Sequence, residues 1–494
     1  MRVTPADQGR PGPGYASSIL LFVALTTVFL VGLELWLGRW AWPVDPAWYR
    51  ITYEGEQVLF GCQDFRPVAF SASPARARII VLGGSSAFGF PDRPVGDAPL
   101  TSASHGVAGA LQTALDRGWP GAFEVVNLGV NGGTSEDTLR LARRALGWGP
   151  TALVVIDGSN EFMDVPAATI APLWRFALFR RFTVLQGRAD AAPGWVGTPA
   201  WGAPSVREAV HERFRRNLDT LALIAGDVGV KVVLTTQAVN LSDFDPSWSV
   251  AGDPAVLAGL DDRSDVDLEA LWAANPESAE IAWVVGRRRI RDGGDAVAAL
   301  HAAVDGDAMP FRSTAGIQRV VREVAASHGA TVVEGQAAVA AGGVHAPADF
   351  YDWVHPTPIA AERLGEALIR GLQEARVVPT TRTGAPEDGP AAAAPGSEEQ
   401  AATALRVAVT WLRWACVRQH DPAFRAQKAQ EWASRAAAIH GAHQGWALAL
   451  GAAARAVERG EPAAAAALGR HRDRLLAIHR CLAPRLSLPA TGQG

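Results

Sequence analysis

Four places in this 494-residue chain carry residue types that can do nucleophilic chemistry together. The first is Val81-Leu82-Gly83-Gly84-Ser85-Ser86, where an apolar run ends at two glycines and a serine. Glycines permit a sharp turn and close backbone approach. The hydroxyl they present, on Ser85, is a weak nucleophile until a base takes its proton. The second place is Asp352-Trp353-Val354-His355-Pro356-Thr357. On a helical turn a spacing of three puts Asp352 and His355 on one face. The carboxylate can then hold the imidazole Nδ1–H while Nε2 faces the serine, and Pro356 suits the first turn of a following helix. The other two places supply donors for an oxyanion. Gly132, in Asn127-Leu128-Gly129-Val130-Asn131-Gly132, offers a backbone N–H, and Asn160, in Gly158-Ser159-Asn160-Glu161, offers a side-chain amide. With the Ser85 N–H they make three donors, and losing one such donor typically costs about 3–4 kcal/mol of transition-state stabilisation.

These residues need elements that bring them to one rim. Arg78 to Leu82 reads as a buried strand, apolar and β-branched after its arginine. Residues 123–128, 152–156, 231–236 and 330–334 read as four more strands. Helices are expected over 102–115, 136–146 (with Ser135 as N-cap), 206–225, 315–328 and 357–375. Strands that are apolar throughout and alternate with helices indicate a parallel sheet covered on both faces. Such a doubly wound α/β sheet collects its strand ends on one crevice. Residues 163–204, rich in Trp, Pro and Phe, read as a loop able to cover a site.

At Gly83-Gly84-Ser85, Gly132, Asn160 and Asp352-x-x-His355 the chain resembles the SGNH (GDSL-type) hydrolase family, named for a Ser, Gly, Asn and His in four separated blocks. The resemblance covers about residues 76–376. It implies a flavodoxin-like five-stranded parallel sheet and hydrolysis of acyl esters through an acyl-serine intermediate. It also implies Ser85 as nucleophile, His355 and Asp352 as its partners, Ser85, Gly132 and Asn160 as the oxyanion hole, and no cofactor or metal. Two positions depart from the pattern: Gly84 and Glu161 stand where many members have Asp. Other hydrolase and nucleotide motifs fit worse. A G-x-S-x-G elbow fails at Ala87, and Gly-Lys-Ser/Thr, G-x-G-x-x-G and H-E-x-x-H are absent.

Composition bounds the rest. The chain is 48% hydrophobic and 19% charged, enough for a sizeable core, and its length suits two or three domains. A net charge of −4 gives no basic field for nucleic acid. Cys62, Cys416 and Cys481 have no metal-binding spacing; Cys416 and Cys481 can pair in an oxidising compartment or stay free and buried. His440 and His443 read as a solvated or packed pair. Glu161 reads as a cap for a helix N-terminus rather than a substrate contact, and Arg312 either meets an anionic group near the site or forms a surface ion pair.

Residues 19–37 form an apolar run interrupted by Glu34, two threonines and a glycine. At about 1.5 Å per residue it spans roughly 28 Å, close to a hydrocarbon core. Trp36, Trp40 and Trp42 suit an interfacial belt. The run is long for a signal peptide and has no polar face, so an uncleaved single-pass helix over 18–38 is expected after a tail of 1–17. Arg2 and Arg10 favour the tail inside and the catalytic part on the extracytoplasmic side. Residues 39–75 read as a juxtamembrane collar with short strands at 50–53 and 57–60. Within the hydrolase region of 76–376, about 250–312 reads as an inserted helical hairpin turning at Gly293-Gly294, weakly like one tetratricopeptide-type unit. Residues 377–400 have the Pro, Gly, Ala and acidic composition of a linker, and 401–483 read as an all-α segment. The helical segments offer a surface for a protein partner.

The expectation is therefore a membrane-anchored serine esterase acting on an acyl ester of a small molecule, glycan or lipid. Two rivals stand beside it: an O-acyltransferase that decorates cell-surface polysaccharide, and a helical scaffold with an inactive hydrolase domain.

Overall fold

The computed structural model describes residues 25–32, 49–62, 65–94, 98–100, 105–162, 203–246, 254–257, 259–340, 343–344, 348–383, 396–417, 422–441, 450–451 and 454. From Tyr49 the chain builds an antiparallel sheet of β1 (Tyr49–Glu54), β2 (Gln57–Cys62) and β3 (Val68–Ser71). Val58, Phe60 and Cys62 alternate along β2 and are all buried, the period-two pattern of a half-buried strand. Their apolar face joins the main core: Phe65 meets Phe88 edge-on at 4.9 Å, and Phe70 meets Trp148 at 5.1 Å. The two strands expected in the collar are present. A third, β3, was not expected, and the sheet is a wall of the catalytic core.

The main sheet comprises β4 (Ala77–Gly83), β5 (Phe123–Asn127), β6 (Ala152–Ile156), β7 (Lys231–Thr236) and β8 (Thr331–Glu334), ordered β5-β4-β6-β7-β8. All four pairings are parallel, and the order is the flavodoxin-like one. Nearly every central residue is buried because both faces are covered. On one face, Ile79, Val81, Val154 and Val233 pack against α2 (Gly106–Gly118) and α10 (Pro358–Glu374), through Leu111, Leu115, Leu364 and Leu368. On the other, Ile80, Leu82, Leu153 and Leu234 pack against α3 (Ser135–Ala145), α4 (Pro204–Asp227) and α8 (Ala315–His328), through Leu139, Phe214 and Ile317. Buried Arg78 ties the two sheets together: its guanidinium bonds Glu124, the Trp148 carbonyl and the Ser71 carbonyl.

Helix α3 begins one residue earlier than expected. Thr134, not Ser135, is its N-cap, and Thr134 with Asp137 closes a reciprocal capping box. The remaining elements are α1 (Ser85–Phe88), α5 (Asp265–Ala274), α6 (Ala279–Arg291), α7 (Val297–Asp305), α9 (Gly335–Ala340), α11 (Ser397–Val417) and α12 (Pro422–Ile439). Helices α6 and α7 form the expected hairpin around Gly293-Gly294. They approach so closely at Gly286 that a Cβ there would lie 2.7 Å from Leu300 Cγ.

Part of the expected linker is packed structure. Val378 is buried, Trp119 Nε1 donates to the Thr381 carbonyl at 2.9 Å, and Thr383 N donates to Gly118 O at 2.9 Å. Residues 384–395 lie outside the described residues. Helices α11 and α12 bury Leu405, Ala408, Trp411, Ala426 and Ala433 in the same core as Phe244 and Trp353. They thus share a hydrophobic core with one face of the five-stranded sheet.

Residues 25–32 are helical, with Leu25, Val28, Phe29 and Val31 exposed. Among the described residues no helix is long and apolar enough to cross a membrane; the rest of the expected span, 18–24 and 33–38, lies outside them. Cys62 is buried and forms no disulfide among the described residues. The side chain of Cys416, and Cys481 and His443 altogether, lie outside the described residues.

The loop after β5 lies against the backbone of α1, and a Cβ on Gly129 would stand 2.3 Å from Phe88 N. Neither backbone can yield without moving the turn that holds Ser85. Gly129→Ala is expected to lower the unfolding free energy by about 2–4 kcal/mol, read from denaturant midpoints at constant slope.

Candidate active site

The chain leaves β4 at Gly83 with φ +141°, in the region that only glycine occupies freely. A Cβ there would lie 1.9 Å from Ile156 O on β6. Gly84 N donates to that same carbonyl at 3.3 Å. Strand and turn are therefore pressed against β6, and Ser85 emerges as the first residue of the single-turn helix α1.

On the far side of the rim, residues 349–357 form a closed loop. Tyr351 N donates to His355 O and Thr357 N to Asp349 O, both at 2.9 Å. The expected helical turn is absent here. Asp352 Oδ1 instead accepts the N–H groups of Val354 (3.1 Å) and His355 (3.0 Å), an aspartate turn that brings residues three apart together. Pro356 precedes the helix, and the first-turn proline of α10 is Pro358, after the N-cap Thr357. Asp352 Oδ2 lies 2.6 Å from His355 Nδ1, and His355 Nε2 lies 2.7 Å from Ser85 Oγ. A carboxylate can only accept, so Nδ1 carries the proton and Nε2 is left to accept the serine O–H. The imidazole is buried and flanked by the rings of Phe90 at 4.7 Å and Trp353 at 5.8 Å.

The donor side is assembled at the ends of β5 and β6. Gly132, at φ +74°, and Gly133 form a turn closed by Gly133 N to Val130 O at 2.9 Å. Asn160 Nδ2 donates to Gly133 O at 2.8 Å, which spends one of its two hydrogens. A Cβ on Gly84 would be 2.9 Å from Asn160 Nδ2, so the absent side chain at 84 is what lets the amide sit beside the nucleophile's turn. Ser85, Gly132, Asn160, Asp352 and His355, far apart in sequence, meet at one sheet edge. These are the positions on which the sequence resemblance to the SGNH hydrolases rests.

Three other residues singled out in the sequence resolve differently. Glu161 is buried and caps α3, accepting Ser135 N at 2.7 Å and Ser135 Oγ at 2.9 Å, with Arg213 behind it. Arg312 is neither a surface ion pair nor at the serine. It is fully buried, donates to Asn240 O at 3.1 Å, and burial pushes it down to about 10. His440 is described, and among the described residues no group of three or more His, Cys, Asp or Glu side chains can hold a metal ion.

Two carboxyls near the site went unread in the sequence. Asp157, at the end of β6, accepts Thr138 Oγ1 at 2.6 Å and Gly158 N at 2.8 Å. Burial, then the charge of Glu161, hold it well above the usual carboxylate range. Asp92 accepts the Tyr351 hydroxyl at 2.8 Å, linking the serine loop to the histidine loop. Burial raises it to about 6, against the opposing Tyr351 bond and Arg406 charge. Nothing in its sequence neighbourhood marks either; both depend on contacts made across the sheet edge.

No protein-family model matches this chain, and no curated protein does. Solved structures do. The chain is similar to a lipase/acylhydrolase from Enterococcus faecalis, at 18% identity over 62% of this chain and 99% of that one, with a TM-score of 0.31. It is similar to an acetyl xylan esterase from Geobacillus stearothermophilus at 15% identity, covering 61% and 96%, with a TM-score of 0.31. It is also similar to a GDSL-like lipase from Parabacteroides merdae at 14% identity, covering 60% and 95%, with a TM-score of 0.32.

The raised Asp92 sets a pH signature. Because the folded protein holds this proton more tightly than an unfolded chain, the group's contribution to stability is complete below about pH 4. It is lost as pH rises through about 6. Asp92→Asn keeps an acceptor for Tyr351 and removes the titration. The variant is expected to gain about 1–3 kcal/mol over wild type at pH 7 and nothing at pH 4, measured by urea unfolding at both values.

Proposed function

We propose that this chain is a serine esterase that hydrolyses an acyl ester through an acyl-serine intermediate. The observation that carries the reading is the unbroken line from Asp352 through His355 to the Ser85 hydroxyl, at 2.6 and 2.7 Å. Ser85 Oγ attacks the ester carbonyl while His355 Nε2 takes its proton, and Asp352 steadies the imidazolium that results. The tetrahedral oxyanion is received by the backbone N–H groups of Ser85 and Gly132 and by the free hydrogen of the Asn160 amide. Neither backbone N–H is spent on another acceptor among the described residues. His355 then gives its proton to the departing alkoxide. The acyl-serine is cleared when His355 activates a water for the same attack, returning the proton to Ser85 Oγ.

We further propose that residues 18–38 anchor the enzyme in a membrane, with the catalytic fold on the extracytoplasmic side. Supporting this are the long apolar run over 19–37, the exposed Leu25, Val28, Phe29 and Val31 on the helix over 25–32, and the arginines ahead of it. A cluster of exposed apolar side chains on one short helix is costly in water and ordinary in lipid.

The purified full-length chain is expected to take up a fluorophosphonate probe stoichiometrically and to hydrolyse p-nitrophenyl acetate, with both lost in Ser85→Ala. Asn160→Ala is expected to lower kcat about 10²–10³-fold, with the chain still folded. Asp352→Asn should lower it about 10⁴-fold, because the wrong imidazole tautomer then faces the serine. Labelling that persists in Ser85→Ala would overturn the assignment of the nucleophile.

A further inference from the structure

The loop that carries Asp352 and His355 is gripped from outside the four-block site. Asn240, buried on the loop after β7, donates its backbone N–H to Trp353 O and its Nδ2 to Asp352 O, both at 2.9 Å. Those carbonyls flank the aspartate turn that sets the carboxylate against the imidazole. Asn240 is itself held: Oδ1 accepts Asp243 N at 2.9 Å and its carbonyl accepts Arg312 Nη1 at 3.1 Å.

The grip continues into the C-terminal helices. Five residues on from Asn240, Asp245 Oδ1 accepts both Nε and Nη2 of Arg425 on α12, at 3.0 and 2.6 Å. Both side chains are buried, as are Arg312 and Asp307 of the inserted region. Phe244 fills the space between, its ring 4.9 Å from the Arg425 guanidinium, 5.1 Å from the Trp353 ring and 5.3 Å from the Trp411 ring. Trp411 on α11 donates Nε1–H to Tyr351 O at 3.0 Å, on the other end of the same loop. Stability alone is poor reason for this arrangement. Well-packed aliphatic side chains in place of a buried ion pair are often neutral or stabilising, because desolvation offsets the attraction. Paired charges give direction and register instead, and here Arg312 is aimed at the carbonyl of Asn240, the residue that bonds Asp352 O and Trp353 O.

We propose that Asn240 is a positioning residue for the Asp352–His355 pair, and that helices α11 and α12 act on the reaction through it and through Trp411. The C-terminal helices are then part of the catalytic apparatus, and their polar contacts tune the base. This inference rests on the esterase reading of the same site.

The test uses the full-length chain, p-nitrophenyl acetate as substrate and four variants: Asn240→Ser, Trp411→Phe, Arg425→Met and Arg425→Lys. A loosened Asp352 stabilises the imidazolium formed in the reaction less, so the acid limb of kcat/KM is the readout that a purely structural role would leave in place. Asn240→Ser is expected to lower kcat about 10–100-fold, with KM changed less than about twofold. It is also expected to move the acid limb of kcat/KM down by about 0.5–1 pH unit. Trp411→Phe and Arg425→Met should move the same limb in the same direction by less, and Arg425→Lys should restore most of it. If Arg425→Met does not fold, Asn240→Ser and Trp411→Phe decide, the first removing the side-chain bonds to Asp352 O and Asp243 N and the second the bond to Tyr351 O. An acid limb unmoved in both, whatever happens to kcat, marks these contacts as structural only and overturns the proposal. A wild-type chain that neither hydrolyses the ester nor takes the fluorophosphonate overturns the esterase reading instead, so the two failures are separate.

Discussion

The arrangement of the whole fold follows from one hydrogen bond, between His355 Nε2 and Ser85 Oγ, whose partners are 270 positions apart in the chain. A 2.7 Å contact tolerates displacements of only a few tenths of an ångström before a shared proton loses its path. Neither partner sits on a long helix or in mid-strand. Ser85 follows a glycine turn and His355 lies in a loop, so each must be fixed by its neighbours. The serine side is fixed by covalent geometry and crowding, through Gly83 against Ile156 and Gly129 against Phe88. The histidine side is fixed by hydrogen bonds: the aspartate turn, the Asn240 pair and Trp411. One side is held sterically and the other electrostatically. That division suits their roles, because the nucleophile's turn must stay in place while the imidazole changes charge.

The burial around His355 follows from the same demand. An imidazolium formed during the reaction is stabilised by Asp352 more strongly where water is excluded. Phe90 and Trp353 flank the ring, and Phe244, Phe311 and Trp411 back Trp353 directly or through one another. This aromatic layer draws on five separate stretches of chain, including the inserted region and α11. A five-stranded sheet with its usual helices covers its two faces but not its edge loops. The inserted and C-terminal helices supply that cover.

The strands and the four blocks were legible from sequence because each depends on local signals. Strand β6 is five apolar residues bounded by Thr151 and Asp157, and a strand buried on both faces reads as continuous apolarity. The blocks were legible because glycines and polar residues at strand ends stand out against that background. What stayed hidden depends on tertiary contact. The turn joining Asp352 to His355 looked like a helical turn, because spacing alone cannot separate a helix from an aspartate accepting two backbone N–H groups. Arg312 looked like a surface or ligand-binding cation, because nothing near it in the chain reveals Asn240, Asp245 and Asp307 around it. Ser135 looked like a cap because Thr134, equally suited, precedes it by one position, and only Asp137's reciprocal bond decides between them.

The first part of the expected linker over 377–400 is packed structure for a related reason, and this bears on function. Its Pro, Thr and Gly content describes a segment without helix or strand, which is true of 377–383, but irregular backbone can still be bonded into a core. Val378, Thr381 and Thr383 are tied to α2 and α10. Described chain on both sides of 384–395 is therefore packed: Val378 against α10, Leu405 in the main core, and Trp411 against the loop that holds His355. A segment that returns the chain to its own active site does different work from one that releases a second domain. Composition alone does not distinguish the two. Here the distinction rests on what α11 packs against: its neighbour α12 and, through Trp411, the loop that holds the base.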